Sequence, residues 1–207
     1  MNTEPATTKL GAVNILLASI GEAPVNQLGS GLDQAEVAER TIEEVMRSVQ
    51  LIGWNWNRED NYPLLTNGDD EISLSNTIMK VDTQNRRYIK RGQRMYDKVN
   101  HTFKFDGDIT ASVVIFLQFD ELPEVARQFI TYRAGRIFQG RVVGSVTLHK
   151  FTEAEEAAAW NSMASEELEA GNYSIFQNAE LALMLDRSSS TGAVDYSAGL
   201  LGGAFIQ

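Results

Sequence analysis

The sequence predicts an α+β protein: an antiparallel helical bundle, a small antiparallel β-sheet lobe inserted into it, and an extended C-terminal tail. Three observations carry that expectation. Apolar residues recur at helical spacing before residue 53 and again after residue 122, the mark of helices with a buried face. From 54 to 121 the pattern changes to short β-type runs separated by Asn/Asp/Gly turns, as hairpins require. From 188 onward Ser, Gly and Ala dominate, with a single charge at Asp195. The expected organisation is a helical hairpin over 1–53, a β-rich lobe over 54–121, helices completing the bundle over 122–187, and a docking tail over 188–207.

In the first helix, Ala12, Ile15, Leu16, Ser19 and Ile20 share one face. Gly21 follows where a helix end needs a residue tolerant of positive φ, and Pro24 prevents continuation. The second helix is expected over 33–52, with Asp33 as N-cap, Glu36 completing a capping-box-like pair and Gly53 ending the run. Its apolar stripe is Ala38, Ile42, Val45, Met46, Val49 and Ile52; Glu39, Arg40, Glu43, Glu44 and Arg47 cover the other side.

The β-type runs are 72–81, 87–89, 95–98, 102–105 and 111–119. Asn67-Gly68-Asp69-Asp70, Arg91-Gly92-Gln93 and Asp106-Gly107-Asp108 supply the turns. Pro123 suits the first turn of a third helix reaching about 139, with Gly140 behind it. Val125, Ala126, Phe129, Ile130, Tyr132, Ile137 and Phe138 cover more than one stripe, so this helix is expected to be the most buried. Thr152 and Glu155 form a capping box for a fourth helix to about 170, packed through Trp160, Met163, Ala164 and Leu168 and ended by Gly171. Ser174 and Gln177 offer a further box for a short helix to about 186.

A chain of 207 residues is long enough to bury a sizeable core. It has no cysteine, which removes disulfides, thiolate metal sites and cysteine nucleophiles. The polar opening, which carries an acid, predicts no secretory signal. The longest apolar run, 113–117, is far short of the roughly 18 residues a membrane span needs, so a soluble protein without a membrane partner is expected. Net charge is −10. Such a chain is a poor general nucleic-acid binder, because affinity for DNA comes mainly from neutralised phosphates. Acidity suits either simple solubility or a wall past which DNA slides.

The sequence offers no catalytic set, no metal site and no cofactor. Its two histidines, His101 and His149, have no partner ligand at helical spacing. Gly29-Ser30-Gly31 lacks the third glycine and preceding strand of a dinucleotide fingerprint and reads as a linker. No Gly-x-Ser-x-Gly elbow is present. Asp69-Asp70-Glu71 and Asp106-Gly107-Asp108 supply the paired carboxylates of a carbohydrate hydrolase, but both fall at turns where Asp and Gly serve the backbone. A hydrolase using Asp106 and Asp108, and a monomeric binding module, are the alternative functions.

Three features point to partners instead. Arg86, Arg87, Lys90, Arg91, Arg94 and Lys98 gather on the hairpin around Gly92. They serve either to protect an edge strand or to dock on an acidic surface. The third helix carries Arg127, Arg133 and Arg136, with Arg141 just beyond. The fourth carries Glu153, Glu155, Glu156, Glu166, Glu167 and Glu169. Across a repeated subunit boundary such pairs fix register. The tail holds Leu200, Leu201, Phe205 and Ile206, costly to leave in water and suited to docking on a neighbour.

Several strings, in order, resemble the tail tubular protein A family, the head-to-tail adaptor rings of short-tailed bacteriophages. Residues 10–28, LGAVNILLASIGEAPVNQL, resemble its opening helix and turn. Gly53-Trp54 with Trp56-Asn57 resembles its passage from second helix to sheet. Leu64-Leu65, Tyr88-Ile89-x-Arg91-Gly92 and Tyr96-Asp97 resemble its strands and hairpin, and Phe119-Asp120-Glu121-Leu122-Pro123-Glu124 the approach to its third helix. The match covers about 10–140; the Gly/Ala-rich terminus departs from the family pattern. The resemblance implies a non-enzymatic virion protein of the tail, made in the host cytoplasm and assembled as a homo-oligomeric ring of commonly twelve copies. Portal would then contact the helical side and the tail residues Leu200, Leu201, Phe205 and Ile206. The nozzle would meet the hairpin residues Arg87, Lys90, Arg91 and Arg94. Arg133 and Arg136 would face Glu166 and Glu167 between subunits, and duplex DNA would pass through the channel without specific binding.

Overall fold

In a computed structural model the chain is α+β. The structure describes residues 7–83, 86–144 and 146–170, with side chains of the last segment from 153 to 169. The short helix expected near 174–186 and the tail residues Leu200, Leu201, Phe205 and Ile206 lie outside the described residues, as does the side chain of His149.

Helix α1 runs Lys9–Ser19, opened by the Thr8 hydroxyl, which accepts from the Gly11 N–H at 3.0 Å. It closes as expected at Gly21, φ 81°, with the Gly21 and Glu22 N–H groups returning to Ala18 and Leu17 carbonyls. Its buried face is Ala12, Val13, Leu16 and Leu17, whereas Ile15 is 50% exposed. Apolar residues surround this helix, so periodicity alone did not fix which face turns inward. Helix α2, Asp33–Gln50, buries the expected stripe from Ala38 to Val49, but Leu32 occupies the N-cap and makes no side-chain cap. Asp33 and Glu36 instead stand inside the first turn, where carboxylates favour the helix dipole.

Helix α3, Glu124–Val142, passes through Gly140 and ends at Gly144, φ 65°, whose N–H reaches the Gln139 carbonyl. It packs on α1, on α2 and on α4, Val146–Ala170, which makes it the centre of the bundle. Helix α4 begins ahead of the expected Thr152–Glu155 box. Met163 and Ala164 are buried as expected, but Leu168 is 54% exposed and Glu167 turns inward in its place.

The lobe contains a three-stranded antiparallel sheet ordered β1 (Arg58–Leu64), β5 (Ile109–Ile115), β2 (Ile78–Asp82), and a separate hairpin of β3 (Tyr88–Arg91) and β4 (Arg94–Asp97). Strand β1 is absent from the sequence expectation because Arg-Glu-Asp-Asn-Tyr-Pro-Leu has little β propensity. It pairs on one side only, with a bulge at Asn61, φ 58°. The run 72–81 is a strand only from Ile78; Ile72 and Leu74 are held by single bonds to Met95 and Gln93. Residues 102–105 make isolated bridges, and 116–119 leave β5 for a 3-10 turn, Phe119–Glu121. Leu64, Ile72, Leu74, Ile78, Met95, Phe105, Ala111 and Val113 form the lobe core.

Two buried amides join lobe to bundle. Gln50 of α2 exchanges a pair of bonds with the Leu117 backbone, at 2.7 and 3.0 Å. Asn57 accepts from the Trp54 N–H at 2.8 Å and donates to the Gln50 and Ile115 carbonyls at 2.9 and 3.0 Å. Gly53, φ 85°, lies so close to β5 that an added Cβ would meet Val114 Cγ2 at 2.9 Å. Behind this seam, Trp54 stacks with Trp56 at 6.3 Å and meets Trp160 edge-on at 5.5 Å, and Trp160 touches Phe129 at 5.2 Å.

Candidate interaction surfaces

The acidic turns hold the backbone. Asp108 accepts from the Thr66 N–H at 2.8 Å and its hydroxyl at 3.0 Å. Asn67 accepts from the Asp69 and Glu71 N–H groups at 2.9 and 3.0 Å, and Glu71 is taken by Arg94. The Gly29-Ser30-Gly31 segment is a loop, with both glycines at positive φ and the Gly29 N–H donating to Glu39 at 2.8 Å. His101 sits at φ 53° in the exposed turn after β4. Among the described residues no cluster of His, Cys, Asp or Glu is arranged to hold a metal, and no helix is long and apolar enough to cross a membrane.

The hairpin brings Arg87, Lys90, Arg91 and Arg94 together, in three different situations. Arg87 forks onto Asp97, with Nε at 3.0 and 3.1 Å and Nη2 at 2.6 Å from the carboxylate oxygens. That bonding, aided by the Asn100 and Val99 N–H groups, holds the Asp97 carboxyl at about 2 despite the opposing effect of burial. Asp97 is 3% exposed and the Arg87 side chain 35%, so the carboxylate lies inside the lobe surface and the guanidinium at its edge. Arg94 donates through Nη1 to both Glu71 oxygens at 2.9 Å, and the Lys90 ammonium donates to the Ile78 carbonyl on β2. Arg91 has no carboxylate within ion-pair distance among the described residues; its guanidinium rests over the Tyr96 ring at 3.7 Å.

Between α3 and α4 the arginines find an acid that sequence reasoning did not single out. Arg136 forks onto Glu156, which raises the Arg136 pKa, and Arg133 lies 3.8 Å from the same carboxylate. Glu167 accepts from the Asn55 N–H at 2.8 Å, and burial pushes its carboxyl upward. Glu166 is exposed. Of the four residues expected between copies, Arg136, Arg133 and Glu167 thus already have partners in their own chain. The choice of Glu156 over its neighbours depends on how the two helices rotate against each other, which the charge run did not reveal. Asn14, Gln50 and Asn57 were missed for a different reason. Asn14 and Gln50 lie beside the apolar stripes of α1 and α2, and Asn57 lies in the turn before β1, so nothing local marked the backbone groups they bond.

The described residues thus form a helical frame tied to a sheet lobe, with basic charge gathered on a hairpin and no metal cluster among them. The family model described as tail tubular protein matches residues 10–173. The chain belongs to that family. It is also similar to "Tail tubular protein A" of Klebsiella phage KP34, 23% identical over 162 residues, which is 77% of this chain and 86% of that protein. The protein is thus a structural component of a phage tail, located in the virion tail and assembled with other virion proteins.

Proposed function

We propose that this protein is the adaptor ring between portal and tail nozzle, and that it forms part of the channel through which the genome is ejected. The observation that carries this reading is the separation of charge in a tail tubular chain: seven Lys and Arg but one acid between 86 and 104, against −10 overall. A local basic knob on an acidic body suits one oriented protein contact rather than general DNA binding.

In this reading the hairpin of Arg87, Lys90, Arg91 and Arg94 meets the nozzle. The tail residues Leu200, Leu201, Phe205 and Ile206 dock on portal. Arg133, Arg136, Glu166 and Glu167 lie at the boundary between copies. A ring needs two different complementary surfaces on each subunit, and α3 and α4 supply opposite charges for them. Arg133 and Glu166 are the pair most free to act across the boundary, because Arg133 only approaches Glu156 at 3.8 Å, whereas Arg136 is hydrogen-bonded to it and Glu167 accepts from the Asn55 N–H. Twelve copies would carry about −120, a wall that favours sliding of duplex DNA over adhesion. The acids of the turns serve loop geometry, so no catalytic step is assigned.

The test is electron microscopy of the purified chain with and without portal. Monomers or weak oligomers alone and closed rings on portal are expected; a chain that stays monomeric beside portal overturns the adaptor reading.

A further inference from the structure

We propose that Arg91, laid on the Tyr96 ring, is the residue of the hairpin that reads a carboxylate on an acidic protein partner. This rests on the adaptor reading for the identity of the surface, and on its own geometry for the residue. Four side chains alternate across the outer face of the hairpin. Arg91 lies over Tyr96 at 3.7 Å, Tyr96 meets Phe103 edge-on at 4.9 Å, and Arg94 lies over Phe103 at 4.2 Å. The register explains the arrangement: Arg91 pairs with Arg94 and Ile89 with Tyr96, which puts these residues on the face opposite buried Met95.

The two arginines differ in what they have left to give. Arg94 spends Nη1 on Glu71, and Arg87, on the same hairpin, spends Nε and Nη2 on Asp97. A new carboxylate at either would share a guanidinium whose charge a carboxylate of this chain already meets, although Arg94 still has Nε and Nη2 to donate. Arg91 has no such pair among the described residues, and its guanidinium carbon rests 3.7 Å from the Tyr96 ring centre, a contact that restricts its motion. A guanidinium oriented before binding gives up less side-chain freedom when it forms two parallel N–H···O bonds. Arg86 and Lys98, both exposed and without an acid at ion-pair distance among the described residues, add field but no planar geometry.

The same surroundings favour a carboxylate over nucleic acid. Base stacking needs an open ring face, and Tyr96 is only 9% exposed beneath Arg91. A duplex would also extend beyond the basic segment onto a chain that carries 28 acids against 18 bases. A carboxylate cluster on a folded partner is small enough to meet the knob alone.

The full chain would be titrated, at low salt, against a fluorescein-labelled decapeptide alternating Glu and Gly and against a labelled 12-base-pair duplex. Wild type should bind the peptide more tightly than the duplex. Arg91→Lys keeps the charge but loses the planar fork and should weaken peptide binding about tenfold. Lys98→Gln should weaken it only about twofold, and Tyr96→Phe, which keeps the ring, should leave it unchanged. No peptide binding by wild type, or an Arg91→Lys variant equal to wild type, overturns the proposal. Tighter duplex binding that is lost in Arg91→Lys overturns it in favour of a nucleic-acid site. Ring formation on portal by Arg91→Lys reports separately on the adaptor reading: normal rings with weakened peptide binding support both, and an adaptor reading that fails on portal leaves the peptide result standing.

Discussion

The bundle and the β lobe spend their polar side chains in opposite ways. In the bundle and along its seam, Asn14, Gln50 and Asn57 are drawn inward and bond main-chain groups that no helix or strand satisfies. Orphaned backbone groups are costly when buried, so each such amide stabilises one conformation of the junction. In the lobe the conspicuous polar groups are charges: Arg91 and Arg94 lie on the outward side of the hairpin, while Lys90 and Asp97 share the inner side with Met95 and Tyr88. Exposed ion pairs contribute little to stability, typically below about 1 kcal/mol. The bundle side is held in shape by these bonds, and in the proposed adaptor the hairpin is the surface that is met.

That contrast is breakable by mutation. The largest effect is expected at Trp54, fully buried, bonded through Nε1 to the Val49 carbonyl at 2.8 Å and packed on Trp56 and Trp160. Trp54→Ala should lower unfolding free energy by about 3–5 kcal/mol in denaturant titration. Arg94→Ala on the hairpin should cost less than about 1 kcal/mol. Comparable losses at the two sites would erase the distinction.

A smaller effect sharpens where the boundary lies. Asn57→Leu keeps the branching at Cγ but leaves the Trp54 N–H and the Ile115 carbonyl short of a partner, while the Gln50 carbonyl retains its bond from the Gly53 N–H. A loss of about 3 kcal/mol is expected, read both by denaturant midpoint and by tryptophan emission from Trp54, Trp56 and Trp160. A change below about 1 kcal/mol would mean that water replaces the amide and the seam is not fixed by it.

How much of this was legible in the sequence follows the same division. The α+β class, the stripe of α2, the Gly21 stop and the hairpin around Gly92 come from periodicity and turn chemistry, which act locally. Strand β1 was hidden because an exposed edge strand carrying Asp, Asn and Pro obeys its partner β5 more than its own propensities. The inward face of α1 was misjudged because Ile15 and Leu17 are equally apolar and only packing against α2 and α3 distinguishes them. The basic cluster was visible as composition. That Arg87 and Arg94 are internally paired and Arg91 is stacked depends on Asp97, Glu71 and Tyr96 reaching them across the fold.

The smallest expected effect is a pH dependence carried by the Arg87–Asp97 pair. The folded Asp97 carboxyl is held at about 2, below its ordinary 3.8. Its contribution is therefore fully present above the ordinary value and is lost as pH falls through that of the folded state. Denaturant midpoints measured from pH 5 down to 2 should decline, and Asp97→Asn should be less stable at pH 5 with a flatter profile. An unchanged slope would place the acid sensitivity elsewhere.

The central claim, a bundle that builds the ring and a hairpin that meets the next tail component, is tested most directly by a cryo-EM reconstruction of the intact tail. The account predicts that in every copy the hairpin around Arg91 is buried against a chain other than its own kind, with a carboxylate at the guanidinium, while α3 and α4 contact neighbouring copies. A hairpin facing solvent, or lining the channel against DNA, would contradict it.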